Sequence, residues 1–278
     1  MIAAPPVTTQ PGAPSAPPPE WMEPPAPQPD IPAGLEYLSV LDQILVKQKV
    51  ALLEAFTNWE TENKYALTNT MGQQCYCAFE KSDPLVRVKM KEHRGFTLHL
   101  VDKNSQEVMR VFRPLKECSH CCWCAGCIAH CQDELFVEAP PGTTIGRVLQ
   151  QGACCSVNLD IQDVGGNSKF FVEGTPCGCC ADVEFPVFTA DKSRHIGTIA
   201  KQWSGNVQEA YTTAQNFSLT FPIDLDVRMK ATLIGAMFLI DFLAFERQNE
   251  QTHARRQEEL AAYLGPNVNL NVNISDLQ

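Results

Sequence analysis

The residues of this chain that are best suited to chemistry are six cysteines that fall within 14 residues. They are Cys118, Cys121, Cys122, Cys124, Cys127 and Cys131. Clustered cysteines can bind a zinc ion, carry fatty-acyl chains or pack as buried thiols. Each of these uses places different demands on the spacing of the cysteines and on their surroundings.

The spacing of the cluster is compatible with zinc. Cys121-x-x-Cys124 and Cys124-x-x-Cys127 have the separation of zinc-binding pairs, and His130 could act as a further ligand. A structural zinc site usually takes two separated pairs, however, and this is one crowded patch. A second pair would have to come from elsewhere in the chain, and the candidates are Cys177, Cys179 and Cys180. Zinc therefore stays an alternative.

The rest of the chain favours acylation. Met1 and Ile2 are followed by neither a basic nor an apolar region, so we expect no secretory signal and a chain that starts in the cytosol. Ile2 argues against myristoylation, and Ser275-Asp-Leu-Gln is not a prenylation box. Cytosolic cysteines are not expected to form a disulfide framework. The residues predicted to carry palmitate are Cys118, Cys121, Cys122, Cys124 and Cys127.

The charge of the chain limits its partners. The formal net charge is −10 and the sequence pI is about 5.1. Nucleic-acid binding draws its affinity from lysine and arginine, so no nucleic-acid partner is expected. The same acidity opposes adsorption to an anionic leaflet. Membrane attachment must therefore be apolar, covalent or locally basic, and Trp123 and Ile128 would help to seat an acylated loop at the interface.

No catalytic pattern is visible in the sequence. It contains no Walker loop, no G-x-G-x-x-G, no G-x-S-x-G and no H-E-x-x-H, and its six histidines are scattered. We therefore predict that the protein is not an enzyme and has no catalytic residues.

The elements that must position these residues begin after a proline-rich leader. Residues 1–33 are predicted to be disordered, and either serve as a spacer or dock SH3 or WW domains. Short apolar segments at period two then predict about a dozen strands, typical of a sandwich or barrel. The predicted strands are Val86–Met90, Phe96–Leu100, Glu107–Phe112, Glu134–Glu138, Thr144–Leu149, Val157–Ile161, Lys169–Val172, Val183–Phe188, His195–Ile199 and Phe217–Phe221.

One apolar helix is predicted over residues 224–246, followed by a polar tail over 248–278. From Ala231 to Phe245 it has about 22 Å of apolar length, short of the roughly 30 Å hydrocarbon core, and it contains Asp241. A helix buried in a barrel is therefore favoured over a membrane span. The apolar residues on which this interpretation rests are Ala231, Leu233, Ile234, Phe238, Leu239, Ile240 and Phe242.

An ordered set of segments resembles the phospholipid scramblase family over residues 34–247. The segments are Gly34-Leu-Glu-Tyr-Leu, Asp42-Gln-Ile-Leu-Val, Arg113-Pro-Leu, Ala139-Pro-Pro-Gly-Thr-Thr-Ile-Gly, Lys201-Gln-Trp-Ser-Gly and Phe221-Pro-Ile-Asp-Leu-Asp-Val-Arg-Met-Lys, which runs into Phe238-Leu-Ile-Asp-Phe. The resemblance implies a tubby-like barrel around the helix. It also implies a palmitoylated cysteine stretch and ATP-independent, bidirectional, calcium-stimulated movement of phospholipids between leaflets.

The calcium loop that the resemblance implies aligns with residues 213–224. An EF-hand needs oxygen ligands at loop positions 1, 3, 5, 7, 9 and 12. Thr213 and Gln215 stand at positions 1 and 3, and only Asp224, at position 12, carries a negative charge. We therefore expect weak calcium binding or none, with Asp224 as the N-cap of the helix.

These observations together predict a scramblase-family protein on the cytosolic face of a membrane, at the plasma membrane. The alternative is a lipid-anchored binding module that recruits partners through residues 1–33.

Overall fold

A computed structural model describes residues 20–48, 64–81, 95–116, 128, 131–153, 156–174, 183–202 and 216–246. Within these residues, twelve antiparallel strands form a closed barrel. The strands are β1 Gln43–Gln48, β2 Lys64–Thr68, β3 Gln74–Lys81, β4 Phe96–Val101, β5 Glu107–Arg113, β6 Glu134–Glu138, β7 Thr144–Gln151, β8 Asn158–Asp163, β9 Ser168–Val172, β10 Val183–Thr189, β11 His195–Gln202 and β12 Asn216–Thr220.

The barrel is closed by pairing between its first and last strands. Each strand pairs with its sequence neighbours, and β1 also pairs with β12 from Gln43↔Thr220 to Lys47↔Asn216. Closure leaves no strand edge unpaired, which removes the usual route to edge-to-edge aggregation. The predicted fold class, a mainly β barrel of about twelve strands around a hydrophobic helix, is confirmed.

The two ends of the barrel differ. At one end, the hairpin end, short turns join β2–β3, β4–β5, β6–β7, β8–β9 and β10–β11. At the opposite end, the loop end, each of the six connections includes residues outside the described ranges. The segment with five of the clustered cysteines joins β5 to β6 and therefore belongs to the loop end.

The helix α1, Val227–Ile240, enters the barrel at the hairpin end and runs to the loop end. Thirteen of its 14 residues are buried, all except Arg228, so it is surrounded on every side. A π-helical turn, Asp241–Glu246, continues it. The prediction that Ala231 to Phe245 is core is confirmed. Among the described residues, no helix combines the length and the apolar character that a membrane crossing requires.

The start of the helix corrects one prediction. The N-cap is Asp226, whose carboxylate accepts hydrogen bonds from the backbone N–H groups of Arg228 at 2.9 Å and Met229 at 3.2 Å. Asp224 lies in the turn before it and is exposed. Both aspartates suit a helix N-terminus by residue type, and only the geometry of the turn selects between them.

Strands β4 to β12 each overlap a predicted strand, whereas β1, β2 and β3 were missed. β2 is buried at all five positions, and β3 from Gln74 to Glu80, so neither shows the period-two pattern. The outer face of β3 is covered by the chain around Trp21, which packs on Cys77, Phe79 and Val101. The predicted strand Val86–Met90 lies outside the described residues.

The chain joins the barrel before residue 34. Met22 N donates to Gln74 O at 3.0 Å, and Gln74 N donates to Glu20 O at 2.8 Å. These contacts place residues 20–22, which were predicted as part of the leader, against β3. Residues 1–19 and the predicted tail 248–278 lie outside the described residues.

We expect Leu239→Asp to abolish folding, because it places an uncompensated charge on a fully buried position of α1. Leu239→Ala, which only opens a cavity, should cost about 2–5 kcal/mol of the free energy of unfolding. Ile223→Asp adds the same charge at an exposed apolar residue and serves as the control. Circular dichroism with thermal unfolding measures all three, and a cooperatively folded Leu239→Asp would contradict the buried helix.

Candidate functional site

The hairpin end of the helix is held by a buried lysine. Lys230 is fully buried, and its ammonium donates to the carbonyls of Leu38 at 2.9 Å, Leu41 at 2.8 Å and Ile223 at 2.7 Å. Three acceptors match the three donors of an ammonium group. Burial lowers the pKa of Lys230, while Asp42 and Asp224 act in the opposite direction. This arrangement ties the helix to the 3-10 turn Glu36–Val40 and closes the hairpin end.

Two glycines bring the helix close to one side of the barrel. A Cβ on Gly146 of β7 would lie 2.0 Å from Thr232 Oγ1, and one on Gly235 of α1 would lie 2.6 Å from Val137 of β6. Neither position can carry a side chain without a shift of its neighbours. The helix therefore packs closely on β6 and β7.

Aromatic rings surround the loop end of the helix. Phe238 packs on Tyr65, Phe242 on Phe96, and Phe245 on both Phe185 and Phe217, with centroid distances of 5.2 to 6.2 Å. Edge and tilted ring contacts of this kind add to the stabilisation that comes from burial. They hold the π-helical turn in place. Turns of this type are often found at functional sites.

Two ionisable residues, Asp241 and Lys201, lie in contact with this aromatic layer. Asp241 is 7% exposed and accepts a hydrogen bond from Tyr65 Oη at 3.2 Å. The Lys201 ammonium lies 3.5 Å from the ring centroid of Phe245. Burial lowers the pKa of Lys201 to about 8, although the nearby Asp241 acts to raise it. The predicted polar partner of Asp241 inside the barrel is therefore found in Tyr65.

A buried ion pair anchors the β5–β6 connection. Arg113 at the end of β5 pairs with Asp133, both essentially inaccessible, and its guanidinium lies 4.4 Å from the ring centroid of Phe242. Lys116 donates to Gln132 O at 2.6 Å and pairs with Glu134 at 3.0 Å. Both flanks of the cysteine segment are thus fixed to the barrel.

The predicted acylation sites Cys118, Cys121, Cys122, Cys124 and Cys127 lie outside the described residues, so acylation there stays a prediction. Leu115 and Ile128, which flank the segment, are 51% and 50% exposed. Cys131 is buried and disulfide-bonded, which departs from the expectation of no disulfides at this one residue.

The zinc alternative also stays untested. In the described ranges no group of three or more His, Cys, Asp or Glu residues is placed to hold a metal ion, and Cys75 and Cys77 are buried thiols. Burial raises the pKa of Cys75 to about 11. All the proposed zinc ligands, which are Cys121, Cys124, Cys127, His130, Cys177, Cys179 and Cys180, lie outside those ranges.

The segment aligned with a calcium loop contains a strand. β12, Asn216–Thr220, pairs with β1 on one side and β11 on the other. Asp224 follows it and is exposed, whereas Thr213 and Gln215 lie outside the described residues. The weakness of calcium binding here stays a prediction.

The outer face of β4, β5 and β6 carries a groove that the sequence analysis did not identify. Its volume is about 550 Å³ and it is lined by Thr97, His99, Arg110, Phe112 and Glu138. Strand register places His99, Arg110 and Glu138 in one row. No sequence pattern links these residues, because the row exists only once three strands are paired.

The chain is similar to known proteins over most of its length. The family model described as Scramblase matches residues 22–247, beginning where the described chain joins the barrel. The chain is 43% identical over 248 residues to phospholipid scramblase 1 of Rattus norvegicus, covering 88% of this chain and 72% of the relative. It is 40% identical over 243 residues to phospholipid scramblase 2 of Bos taurus (87% and 80%), and 41% identical over 218 residues to phospholipid scramblase family member 5 of Homo sapiens (78% and 78%).

One solved structure, an X-ray structure of a protein from Arabidopsis thaliana, covers 73% of this chain and 94% of its own, with 11% identity and a TM-score of 0.39. A score this low supports no conclusion about the fold.

We expect the free energy of unfolding of the unaltered chain to rise, relative to that of the Lys201→Met variant, as the pH increases from about 8 to about 10. Below pH 8 Lys201 is charged in both states; above it the folded state releases the proton first, and the unfolded state does so only near 10.5. Stability must therefore increase with pH across this window. Urea unfolding at several pH values measures the difference between the two chains.

The control is Lys192→Met, which removes an exposed lysine that also lies over a ring, 3.6 Å from the centroid of Phe171. Because this lysine is exposed, the difference in free energy of unfolding between the unaltered chain and Lys192→Met should not change with pH. If the difference between the unaltered chain and Lys201→Met is also independent of pH, Lys201 is not desolvated.

Proposed function

This chain belongs to the phospholipid scramblase family, and we propose that it moves phospholipids between bilayer leaflets in both directions without ATP, from the cytosolic face of the plasma membrane. The observation that carries the mechanism is the filling of the barrel interior by α1. Since thirteen of the 14 helix residues are buried, the described barrel holds no lumen that a lipid could enter. Lipid movement therefore takes place at the outer surface of the domain.

Catalysis of this kind needs no covalent step. The barrier to lipid movement is the transfer of a polar headgroup through an apolar layer, which costs several kcal/mol when its hydrogen bonds are lost. A polar protein surface that faces the bilayer lowers this cost because it offers hydrogen bonds along the path. This is the sense in which the protein is a lipid transporter and not an enzyme with catalytic residues.

Attachment to the membrane is proposed to come from palmitate on the cysteine segment. Stable anchoring takes at least two signals, and five cysteines in one connection supply them. The exposed side chains of Leu115, Ile128 and Phe112 lie on the flanks of the segment and at the end of β5. They would contact the interface once the acyl chains are inserted. The SH3 and WW partners of residues 1–33 rest on composition alone and stay a prediction.

Replacing all five predicted sites, Cys118, Cys121, Cys122, Cys124 and Cys127, by Ser should move the protein from membranes to the soluble fraction, because the acidic surface cannot hold it there by charge. The matched control replaces Cys177, Cys179 and Cys180 and should stay on membranes. Fractionation with a high-salt wash, together with hydroxylamine release of thioesters, measures the effect. Retention of the first variant would show that acylation is not the main anchor.

A second pair of variants reports the orientation of the anchored domain. Leu115→Glu should lower membrane retention below that of the unaltered chain. Met71→Glu should not lower it, because Met71, although 81% exposed, lies at the hairpin end. Equal loss in both variants would contradict attachment through the loop end.

Calorimetry should find no calcium site tighter than about millimolar in the unaltered chain, because residues 213–224 offer one carboxylate where an EF-hand uses several. Asp224→Ala should give the same trace. A micromolar site that Asp224→Ala abolishes would contradict the expectation.

A further inference from the structure

The groove on β4–β6 has the chemistry of a binding site for a zwitterion. The Arg110 guanidinium is held by Glu107, with Nε donating to Oε1 at 2.9 Å and Nη2 donating to Oε2 at 3.0 Å. Its Nη1 is 3.8 Å from Glu138 Oε2, beyond hydrogen-bond reach. The guanidinium is therefore fixed in orientation, with one nitrogen directed toward the groove and toward a carboxylate.

The histidine of the groove is also held in place. His99 Nδ1 lies 2.7 Å from Glu107 Oε1, and the ring stacks on Phe79 with a centroid distance of 5.4 Å. Because an ionised carboxylate can only accept, Nδ1 carries the proton and Nε2 of a neutral ring is an acceptor. Burial acts to raise the pKa of Glu107, but the hydrogen bonds from Arg110 and His99 lower it overall. Glu107 is therefore ionised at neutral pH.

The charges decide which ligand fits. Around the groove, the carboxylates of Glu107 and Glu138 outnumber the single guanidinium of Arg110. An isolated phosphate would be repelled by this balance, whereas a ligand with both a phosphate and an ammonium group could place the phosphate on Arg110 and the ammonium beside Glu138. Phe112, 40% exposed at the edge of the groove, offers an apolar surface next to the polar row.

We propose that this groove binds the headgroup of a zwitterionic phospholipid, with its phosphate at Arg110 and Thr97, its ammonium at Glu138 and its glycerol region against Phe112. This inference rests on the proposed function and names the part of the outer surface that a headgroup contacts. The same phosphate and ammonium chemistry occurs in soluble esters such as phosphocholine, so the source of the ligand must be tested separately.

The experiment uses the full-length chain without acyl groups, titrated by NMR or calorimetry with a short-chain phosphatidylcholine kept below its micellar concentration. Arg110→Gln and Glu138→Gln should each weaken binding about 5- to 10-fold, the loss expected for one charge-assisted contact. Glu138→Gln should at the same time strengthen binding of short-chain phosphatidic acid, because it removes the excess negative charge.

The matched controls are Arg147→Gln and Glu134→Gln. This pair joins β6 to β7, with Arg147 Nη2 2.5 Å from Glu134 Oε2, and it does not line the groove. Equal weakening by the control pair, or no weakening by the groove pair, would overturn the site. Phosphocholine binding as tightly as the lipid would overturn the lipid assignment. Thermal unfolding of each variant shows that it is folded.

Lipid movement in reconstituted vesicles separates this proposal from the proposed function. If groove variants lose headgroup binding while lipid movement is unchanged, the binding site stands and the groove has no part in transport. If the unaltered chain binds headgroups but moves no lipid, the proposed function fails and the site stands.

Discussion

A closed barrel of twelve strands encloses more space than its own inward side chains can fill, since about eight strands leave just enough room for them. In this protein the remaining space is taken by α1, so the strands and the helix cannot be separated energetically. The inward residues of β6 and β7, among them Leu135, Val137 and Val148, belong to one buried cluster with the helix, and 13 of the 14 helix residues are buried. Neither element can bury its apolar surface without the other.

This constraint explains the unusual residues in the core. A helix that meets strands on every side needs positions without side chains where the walls are closest, which accounts for Gly146 and Gly235. At the hairpin end, the free backbone N–H groups of Arg228 and Met229 donate to the Asp226 carboxylate. Lys230 donates there to three carbonyls of the segments packed against the helix. At the loop end Asp241 bonds Tyr65 within a layer of aromatic rings.

The same constraint explains which features could be predicted from the sequence. The length of the apolar stretch and the aspartate within it were enough to predict a buried helix, because a bilayer and a barrel interior demand different lengths. Most of the strands from β4 to β12 alternate at least in part, and each overlaps a predicted strand. β3 does not alternate, because the chain around Trp21 covers the face that would otherwise be polar. The groove could not be predicted from the sequence for another reason. His99, Arg110 and Glu138 become neighbours only through the register of three strands.

The anchor and the groove share the same strands, and this links the two proposals. Cys118 follows Lys116 by two residues and Cys127 precedes Ile128 by one, so each of these predicted sites is joined to a described residue with at most one residue between them. Lys116 is itself tied to Gln132 and Glu134, and the neighbouring Arg113 is paired with the buried Asp133. An acyl chain on either cysteine would therefore draw the loop end of β5 and β6 to the bilayer surface. Phe112 stands one residue before Arg113, and the groove extends from it along β4–β6. A domain held in this way would present the groove beside the headgroup layer, where a lipid could reach it without leaving the membrane.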